Sequence, residues 1–181
     1  MRLLTRQDLR AWIAADVARY ELGSGAALWV GLLRTPQARW QVRLRLAEFA
    51  ANQPRGAWRT LGALLRWRLQ VRAMRLGYTI PVNVVGPGLK LPHWGTVVIS
   101  AQARVGPGCT IHPGVSIGLH HGRAPTLGAR VYVGPGAKVF GALHVGEGAV
   151  IGANAVVTSD VEAGASVVGI PARPLDARAR R

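Results

Sequence analysis

Cysteine is almost absent from this sequence of 181 residues, and long apolar runs are absent near its amino terminus. The one cysteine, Cys109, excludes an internal disulfide framework, which small exported domains commonly need. The longest apolar run in the first part of the chain, residues 26–33, is far shorter than the roughly 20 residues that span a bilayer. No signal-peptide pattern precedes it, so we expect a cytoplasmic protein.

Acidic residues are also scarce. The chain has 8 Asp and Glu against 23 Lys and Arg, a formal net charge of +15, and no acid lies between Glu48 and Glu147. A chain this basic attracts polyanions such as nucleic acid, anionic lipid or a phosphate-bearing cofactor. It carries no nucleic-acid-binding motif such as a zinc finger, so we expect no specific nucleic-acid binding.

Aliphatic residues recur every six positions in the second half of the chain. This period fits neither the 3.6 residues of a helical turn nor the two-residue alternation of a lone strand. It fits a chain that turns a corner every six residues, with three corners to a coil and one aliphatic residue stacked on each face. We therefore predict a mainly β fold, a parallel β-helix of hexapeptide repeats. The clearest run of this aliphatic ladder is Leu127, Val133, Val139, Val145, Ile151 and Val157.

The front of the chain has helical patterns instead. We predict three helices, the first capped by Thr5 with Asp8 and the second beginning near residue 35. The third, about residues 57–76, mixes apolar residues with arginines, which indicates either an amphipathic helix packed on its neighbours or peripheral contact with an anionic membrane. The predicted parts are a helical region (1–77), a β-helix domain (78–172) and a mobile, basic carboxy-terminal tail (173–181).

The six-residue period breaks twice, and both breaks contain histidine. The step across residues 91–99 is eight, and the step across residues 117–127 is ten, so that about four residues form a loop. Histidine is the side chain best suited to proton transfer near neutral pH, which makes both breaks candidate sites. The side chains of interest there are His93, Trp94, His120, His121 and Arg123.

The segments at these breaks resemble serine acetyltransferases of the hexapeptide acyltransferase superfamily. Residues 91–98 (LPHWGTVV) are similar to the active-site segment of that family, and residues 111–118 (IHPGVSIG) to its next coil. The likeness covers about residues 78–173. The short helical front and residues 80–89 resemble a compact subgroup, whose members often belong to surface-polysaccharide or secondary-metabolite pathways. Further similar segments are residues 124–141, 151–158 and 168–173.

The resemblance implies a left-handed parallel β-helix, a homotrimer with active sites between adjacent subunits, and acetyl-CoA as the acetyl donor. His93 matches the catalytic base, which takes the proton of an acceptor hydroxyl as that hydroxyl attacks the thioester. Arg123 matches an arginine that binds the amino-acid carboxylate. We add Trp94, His120 and His121 as candidate substrate-binding residues. The positions that match contacts to the cofactor are Pro135 and Ala153 along the pantetheine arm and Thr158 at the nucleotide end.

The chain departs from the family where acids are expected. Where the family has an acid fifteen residues before the catalytic histidine, this chain has Tyr78, and where the family has an acid directly before that histidine, this chain has Pro92. The family's histidine after the loop arginine is replaced by Ala124. We therefore predict that Asn83, a backbone carbonyl or an acid of a neighbouring subunit orients His93. Many family members dock cysteine synthase through a terminal isoleucine. Arg180-Arg181 stands at the end here, so we expect no cysteine synthase complex.

Three functions stay open at this stage. The first is acetyl transfer to serine or a related small hydroxyl compound, and the second is acetyl transfer to a sugar or polysaccharide precursor, with a contribution from His120 or His121. The third is a non-catalytic β-helix scaffold or a binder of an anionic partner, because a fold alone does not establish catalysis. The five histidines are scattered and show no metal-ligand spacing, so we predict no metal.

Overall fold

A computed structural model describes residues 5–54 and 56–175, in which four helices precede thirteen short strands. The helices are α1 (Arg6–Ala18), α2 (Ala26–Arg34), α3 (Pro36–Asn52) and α4 (Ala57–Leu76). The predicted tail lies outside the described residues from position 176 onward, and so does Arg180-Arg181. The strands are β1 (Tyr78–Thr79), β2 (Val97–Ile99), β3 (Arg104–Val105), β4 (Thr110–Ile111), β5 (Ser116–Gly118), β6 (Thr126–Leu127), β7 (Tyr132–Val133), β8 (Lys138–Phe140), β9 (His144–Val145), β10 (Val150–Ile151), β11 (Val156–Val157), β12 (Ser166–Val168) and β13 (Arg173–Pro174).

The helical region contains one helix more than the sequence patterns predict. The missed helix is α2, a nine-residue apolar segment. It is too short for its periodicity to separate it from a strand or a loop. The predicted cap of α1 is confirmed: the Asp8 amide donates to Thr5 Oγ1 over 3.0 Å, and the Thr5 amide donates to Asp8 Oδ2 over 3.1 Å. No helix in the described part of the chain has the length and apolarity to cross a membrane.

The strands form a parallel β-helix of about five turns, of the left-handed type expected from the sequence. Its three faces are face A (β1, β2, β5, β8 and β11), face B (β3, β6 and β9) and face C (β4, β7, β10, β12 and β13). Neighbouring strands on each face are parallel, apart from β13, which runs antiparallel to β12. The prediction of a mainly β fold behind a small helical region is confirmed.

The aliphatic ladder forms the core, and its members move to the next face every six residues. Ile117 stacks on Val139 on face A, Val105 stacks on Leu127 on face B, and Val133 on face C pairs with ladder residues above and below it. All of these side chains are buried. Cys109 is also buried in this core, in one of the smaller apolar positions, as its place in the ladder predicts.

The ladder has a third break, which the sequence patterns did not reveal. Its spacing of four positions from Val157 predicts that Val161 is one of the smaller apolar core residues between ladder positions. In the structure it bridges to Val145 and takes the ladder place on face B. The last coil is therefore two residues short. Asp160 sits in this shortened turn, where its Oδ1 accepts a hydrogen bond from the His144 amide over 2.7 Å.

A buried charge cluster fastens the helical region to the first coil. Arg45 of α3 is fully buried and contacts Asp16 of α1 over 2.7 Å and Glu48 over 2.8 Å. Its guanidinium also donates to the Val85 carbonyl over 2.9 Å, and Asp16 accepts from the Gly88 amide over 2.7 Å. Buried charges are tolerated only when they are paired and hydrogen-bonded in this way. The cluster fixes α1 and α3 against the end of the β-helix nearest to His93.

Candidate active site

His93 lies where the chain turns from face C to face A, on the C–A edge of the β-helix. In a regular coil, paired residues such as Tyr132 and Val150 are 18 positions apart in the sequence. Lys90 and Thr110, which pair across the first coil, are 20 positions apart, so this coil is two residues longer. The extra residues form the exposed turn that carries His93 and Trp94, whose side chain is 67% exposed. The predicted break is therefore a real insertion, and it presents an imidazole to solvent.

Tyr78 holds the backbone of this turn. Its hydroxyl donates to the carbonyl oxygen of His93 over 3.0 Å. Burial raises the pKa of Tyr78 well above its usual range, so the phenol keeps its proton and remains a donor. Tyr78 stands at the position where the resembling family has an acid. It fixes the main chain of His93 but does not contact its imidazole through this bond.

His112 beside His93, and Tyr132 beside His112, were not singled out from the sequence. The His112 ring lies 6.5 Å from the His93 ring, and the Tyr132 ring lies 5.0 Å from the His112 ring, measured between centroids. Burial, and secondly the nearby His93, lower the pKa of His112, so its neutral form is favoured. The aliphatic ladder could have predicted that His112 lies near His93, because the residues that follow Leu91 and Ile111 occupy the same edge in successive coils.

The hydrogen bonds of Asn83 go to residues of α3 rather than to the His93 imidazole. Its side-chain amide exchanges two hydrogen bonds with Asn52 of α3, over 2.9 and 3.0 Å. Its backbone amide donates to Glu48 Oε1 over 2.8 Å. The donor and acceptor groups of Asn83 are thus used to dock α3. Sequence proximity alone suggested Asn83 as the residue that orients His93, whereas tertiary packing directs its side chain to Asn52 of α3.

Pro135 and Ala153 lie on the same edge as His93. Each follows a face C ladder residue, and backbone hydrogen bonds stack the turns: the Gly136 amide donates to the Pro113 carbonyl over 2.9 Å, and the Asn154 amide to the Pro135 carbonyl over 2.8 Å. At about 4.8 Å per coil, the edge from His93 to Ala153 extends over roughly 14 Å. Both residues are exposed and their side chains are short, so no long side chain at these two positions separates an extended ligand from the main chain.

The loop residues lie on a different edge, where face A turns to face B. Residues 120–123 form a two-residue hairpin, in which the His120 amide donates to the Arg123 carbonyl over 2.9 Å and the reverse bond measures 3.1 Å. His121 and Gly122 both have positive φ, 49° and 72°, as a type I′ turn requires. The His120 and His121 rings are 4.0 Å apart and exposed.

Thr158 also lies on this A–B edge, because it directly follows the last strand of face A. A single chain therefore brings His93, Trp94, Pro135 and Ala153 together on one edge. It carries the loop residues and Thr158 on another. Among residues 5–54 and 56–175, no three His, Cys, Asp or Glu side chains are grouped so that they could hold a metal ion.

The parallel β-helix built on a six-residue period places the chain in the class of hexapeptide-repeat β-helix proteins. No family model matches the chain. Among curated proteins, the serine acetyltransferase of Helicobacter pylori is 45% identical over 99 residues, which are 52% of this chain and 58% of that protein. The serine acetyltransferase of Mycobacterium tuberculosis is 44% identical over 95 residues, 50% of this chain and 42% of that protein.

Solved structures show the same likeness over more of the chain. The soybean serine acetyltransferase apoenzyme aligns with a TM-score of 0.77 and 28% identity, covering 93% of this chain and 69% of that one. The Neisseria gonorrhoeae serine acetyltransferase, solved in complex with serine, aligns with a TM-score of 0.75 and 25% identity, covering 94% and 70%. The chain is thus similar to serine acetyltransferases in fold over nearly its whole length. Its sequence matches span only about half of the curated relatives.

Proposed function

We propose that the protein is an acetyl-CoA-dependent O-acetyltransferase of the serine acetyltransferase type, with His93 as general base. The observation that carries this proposal is the exposed imidazole of His93 on an inserted turn whose sequence resembles the family's active-site segment. The similarity to serine acetyltransferases in sequence and fold supports it. The acceptor is serine or a related small hydroxyl compound.

The chemistry needs a base because a neutral hydroxyl is a poor nucleophile. The His93 imidazole accepts the hydroxyl proton as the oxygen attacks the thioester carbonyl carbon. The tetrahedral intermediate then collapses, the carbon–sulfur bond breaks, and the imidazolium returns the proton to the departing thiolate of CoA. General-base help of this kind contributes roughly 10²–10⁴-fold in rate. A backbone N–H near the thioester carbonyl would stabilise the oxyanion.

The acetyl-CoA co-substrate fits the C–A edge of the β-helix. Pro135 and Ala153 continue the line of His93 along this edge, and their turns expose backbone rather than bulky side chains. A pantetheine arm laid along the edge would place its thioester next to His93. Thr158 cannot contact the same arm from within this edge, so a contact to the nucleotide end would come from a neighbouring subunit.

We infer a homotrimer in which the C–A edge of one subunit faces the A–B edge of the next. This arrangement brings Arg123 of one subunit towards His93 of another, which one chain alone does not do. Outward-facing apolar side chains on both faces beside the C–A edge support a covered surface: Val98, Tyr132, Phe140, Val150 and Val168 are each 37–39% exposed. The single buried cysteine supports the expected cytoplasmic location.

A sugar or polysaccharide hydroxyl is the second candidate acceptor. Pro92 stands where the resembling family holds the serine amine with an acid, and no Asp or Glu lies between Glu48 and Glu147. A sugar acceptor carries no amine that needs such an acid. The paired rings of His120 and His121 then offer hydrogen-bonding groups for sugar hydroxyls.

Thiol release from acetyl-CoA separates these functions when it is measured with serine, homoserine and a panel of sugars. We expect His93→Ala to lose roughly 10²–10⁴-fold in kcat. His144→Ala is the matched control, because His144 is an exposed histidine on face B, and it should retain wild-type rates. A His120→Ala/His121→Ala variant that loses only sugar-dependent release would favour the second acceptor class. Full activity in His93→Ala would refute the proposed base, and no release with any acceptor would favour a scaffold.

A further inference from the structure

A cleft between α3 and α4 concentrates positive charge at the surface of the helical region. It has a volume of about 200 Å³ and is lined by Arg39 and Arg43 of α3 and by Arg72 and Arg75 of α4. Pro36, Trp40 and Leu76 complete its walls. Four arginines thus line one concave surface. None of the seven lining residues is acidic.

The charges of this arginine cleft are not balanced within the described part of the chain. Glu48, the acid on α3, is held by Arg45 and by the Asn83 amide. Burial lowers the pKa of Arg43, and the positive charges of Arg72, Arg39 and Arg68 lower it further. The Arg43 guanidinium is nevertheless kept in place by a 2.9 Å hydrogen bond to the Arg39 carbonyl. Like charges held together without a counter-charge destabilise the protein unless an anion joins them.

The wall of the cleft also contains an unused donor. Trp40 is 1% exposed, and its indole nitrogen has no hydrogen-bond partner among the described residues. A buried donor without a partner costs free energy and calls for an explanation. The ring itself is fixed, because it packs edge-on against Tyr78 with 5.1 Å between centroids. Because Trp40 lines the cleft, we infer that an acceptor oxygen bound there satisfies the indole N–H.

We propose that the arginine cleft binds a phosphate group. Guanidinium forks match the oxygens of phosphate in pairs, which makes arginine the preferred residue for recognising it. The cleft also lies at the first turns of α3, whose amino-terminal end carries partial positive charge. Three chemical features therefore converge: four arginines, a helix start and an unpaired indole donor.

The neighbouring surface suits the headgroup of an anionic lipid as one source of this phosphate. A second cleft shares Arg39 and Arg43 and is otherwise mostly apolar, with Trp29, Leu33 and Leu46. Trp29 is 71% and Leu33 66% exposed. Exposed apolar side chains beside arginines are typical of helices that lie in the membrane interface. A soluble phosphate ester is the other source with the same chemistry.

Thermal unfolding of the full chain in increasing inorganic phosphate, against chloride at equal ionic strength, tests the site without acetyl-CoA. We expect phosphate to raise the Tm of the wild type. We expect Arg43→Gln/Arg72→Gln to need at least tenfold more phosphate for the same shift. The control Arg10→Gln/Arg66→Gln removes the same charge from exposed positions outside the cleft and should respond like the wild type. Equal responses from the cleft and control variants would overturn the proposal.

Two further measurements sharpen the result. Trp40→Phe keeps an aromatic ring at this position but removes the indole N–H, so it should weaken the phosphate response without changing the far-ultraviolet circular dichroism. Sedimentation with phosphatidylcholine vesicles, with and without phosphatidic acid, distinguishes the sources. Binding to the acidic vesicles that is lost in Arg43→Gln/Arg72→Gln identifies a lipid headgroup, and phosphate-dependent stabilisation without vesicle binding identifies a soluble ester. The absence of both phosphate-dependent stabilisation and vesicle binding would refute the site. The thiol-release assay would still test the proposed acetyl transfer independently.

Discussion

His93 is fixed through its main chain, whereas in the part of the chain that the structure describes no carboxylate contacts its imidazole. Tyr78 donates to the His93 carbonyl over 3.0 Å, and the His112 ring lies 6.5 Å from the His93 ring. A neutral partner can set the orientation or tautomer of a catalytic imidazole, but it stabilises the imidazolium less than an anion does. The rate of the proposed reaction should therefore depend on the strength of the charge repulsion between His93 and His112 when both are protonated.

The titration of His112 tests this coupling. Because burial and the neighbouring His93 disfavour its protonated form, its midpoint should lie below the ordinary histidine value of about 6.5. In His93→Ala the midpoint should rise, since the repulsion is removed, yet stay depressed by burial. The stability that neutral His112 contributes is fully present at a pH above its pKa in the unfolded chain. This stability is lost as the pH falls through the lower pKa of His112 in the folded protein. Imidazole signals in NMR spectra measure the midpoint, and an unchanged value in His93→Ala would contradict the coupling.

At the scale of single elements, the β-helix depends on strict alternation within each short strand. In β10, Ile151 is fully buried on the ladder, whereas Val150 beside it is 38% exposed. The strand is only two residues long, so neighbouring positions differ completely in environment. Stability should therefore respond very differently to the same truncation at these adjacent sites.

We expect Ile151→Ala to lower the free energy of unfolding by about 2–5 kcal/mol, because it leaves a cavity between Val133 and Val167 in the ladder. Val150→Ala is the matched control; measured on the dissociated chain, where the outward side of Val150 is uncovered, it should cost about 0.5 kcal/mol or less. Urea unfolding followed by circular dichroism measures both. Similar losses at the two positions would mean that the ladder does not form the core as described.

The attachment of the helical elements depends on Arg45. Arg45→Met leaves Asp16 and Glu48 as buried acids without their counter-charge, so we expect a loss of about 3–5 kcal/mol in the free energy of unfolding. Arg45→Met/Glu48→Gln removes one of these charges and should recover part of the loss. Denaturant unfolding measures both variants. If Arg45→Met unfolds like the wild type, the cluster does not hold the helices on the first coil.

At the scale of the whole molecule, the separation of the two edges has a direct consequence. His93 lies on the C–A edge and Arg123 on the A–B edge, so a site that uses both must combine two subunits. With serine as acceptor, His93→Ala and Arg123→Ala should each be strongly impaired. Trimers coassembled from equal amounts of the two should regain about a quarter of wild-type thiol release, because intact sites form at random between unlike subunits.

The control for this complementation is the mixture of separately assembled trimers, which should stay inactive until the subunits exchange. A mixture that never recovers activity would place both residues in one subunit or exclude Arg123 from the site. Sedimentation equilibrium of the wild type gives an independent check. A stable monomer would contradict a site shared between subunits.

The six-residue period alone determined the β-helix, the faces of its core and the two insertions that carry histidine. It could do so because every coil repeats the same local geometry, so one aliphatic per face can be read directly from spacing. The shortened turn before Val161 escaped prediction, since a valine suits both kinds of core position. The nine-residue α2 escaped because so short a segment has no decisive period.

The tertiary structure decided which residues meet. Tyr78 reaches His93 across fifteen positions, Asn83 turns to Asn52 of α3, and His112 comes beside His93 through the stacking of coils. The arginines of α3 and α4 form a cleft only after the helices pack. Spacing along the chain carries no information about such contacts, because they depend on the register between coils and on how helices dock. The scarcity of acids was plain in the sequence, but the places where their absence matters became visible only in three dimensions.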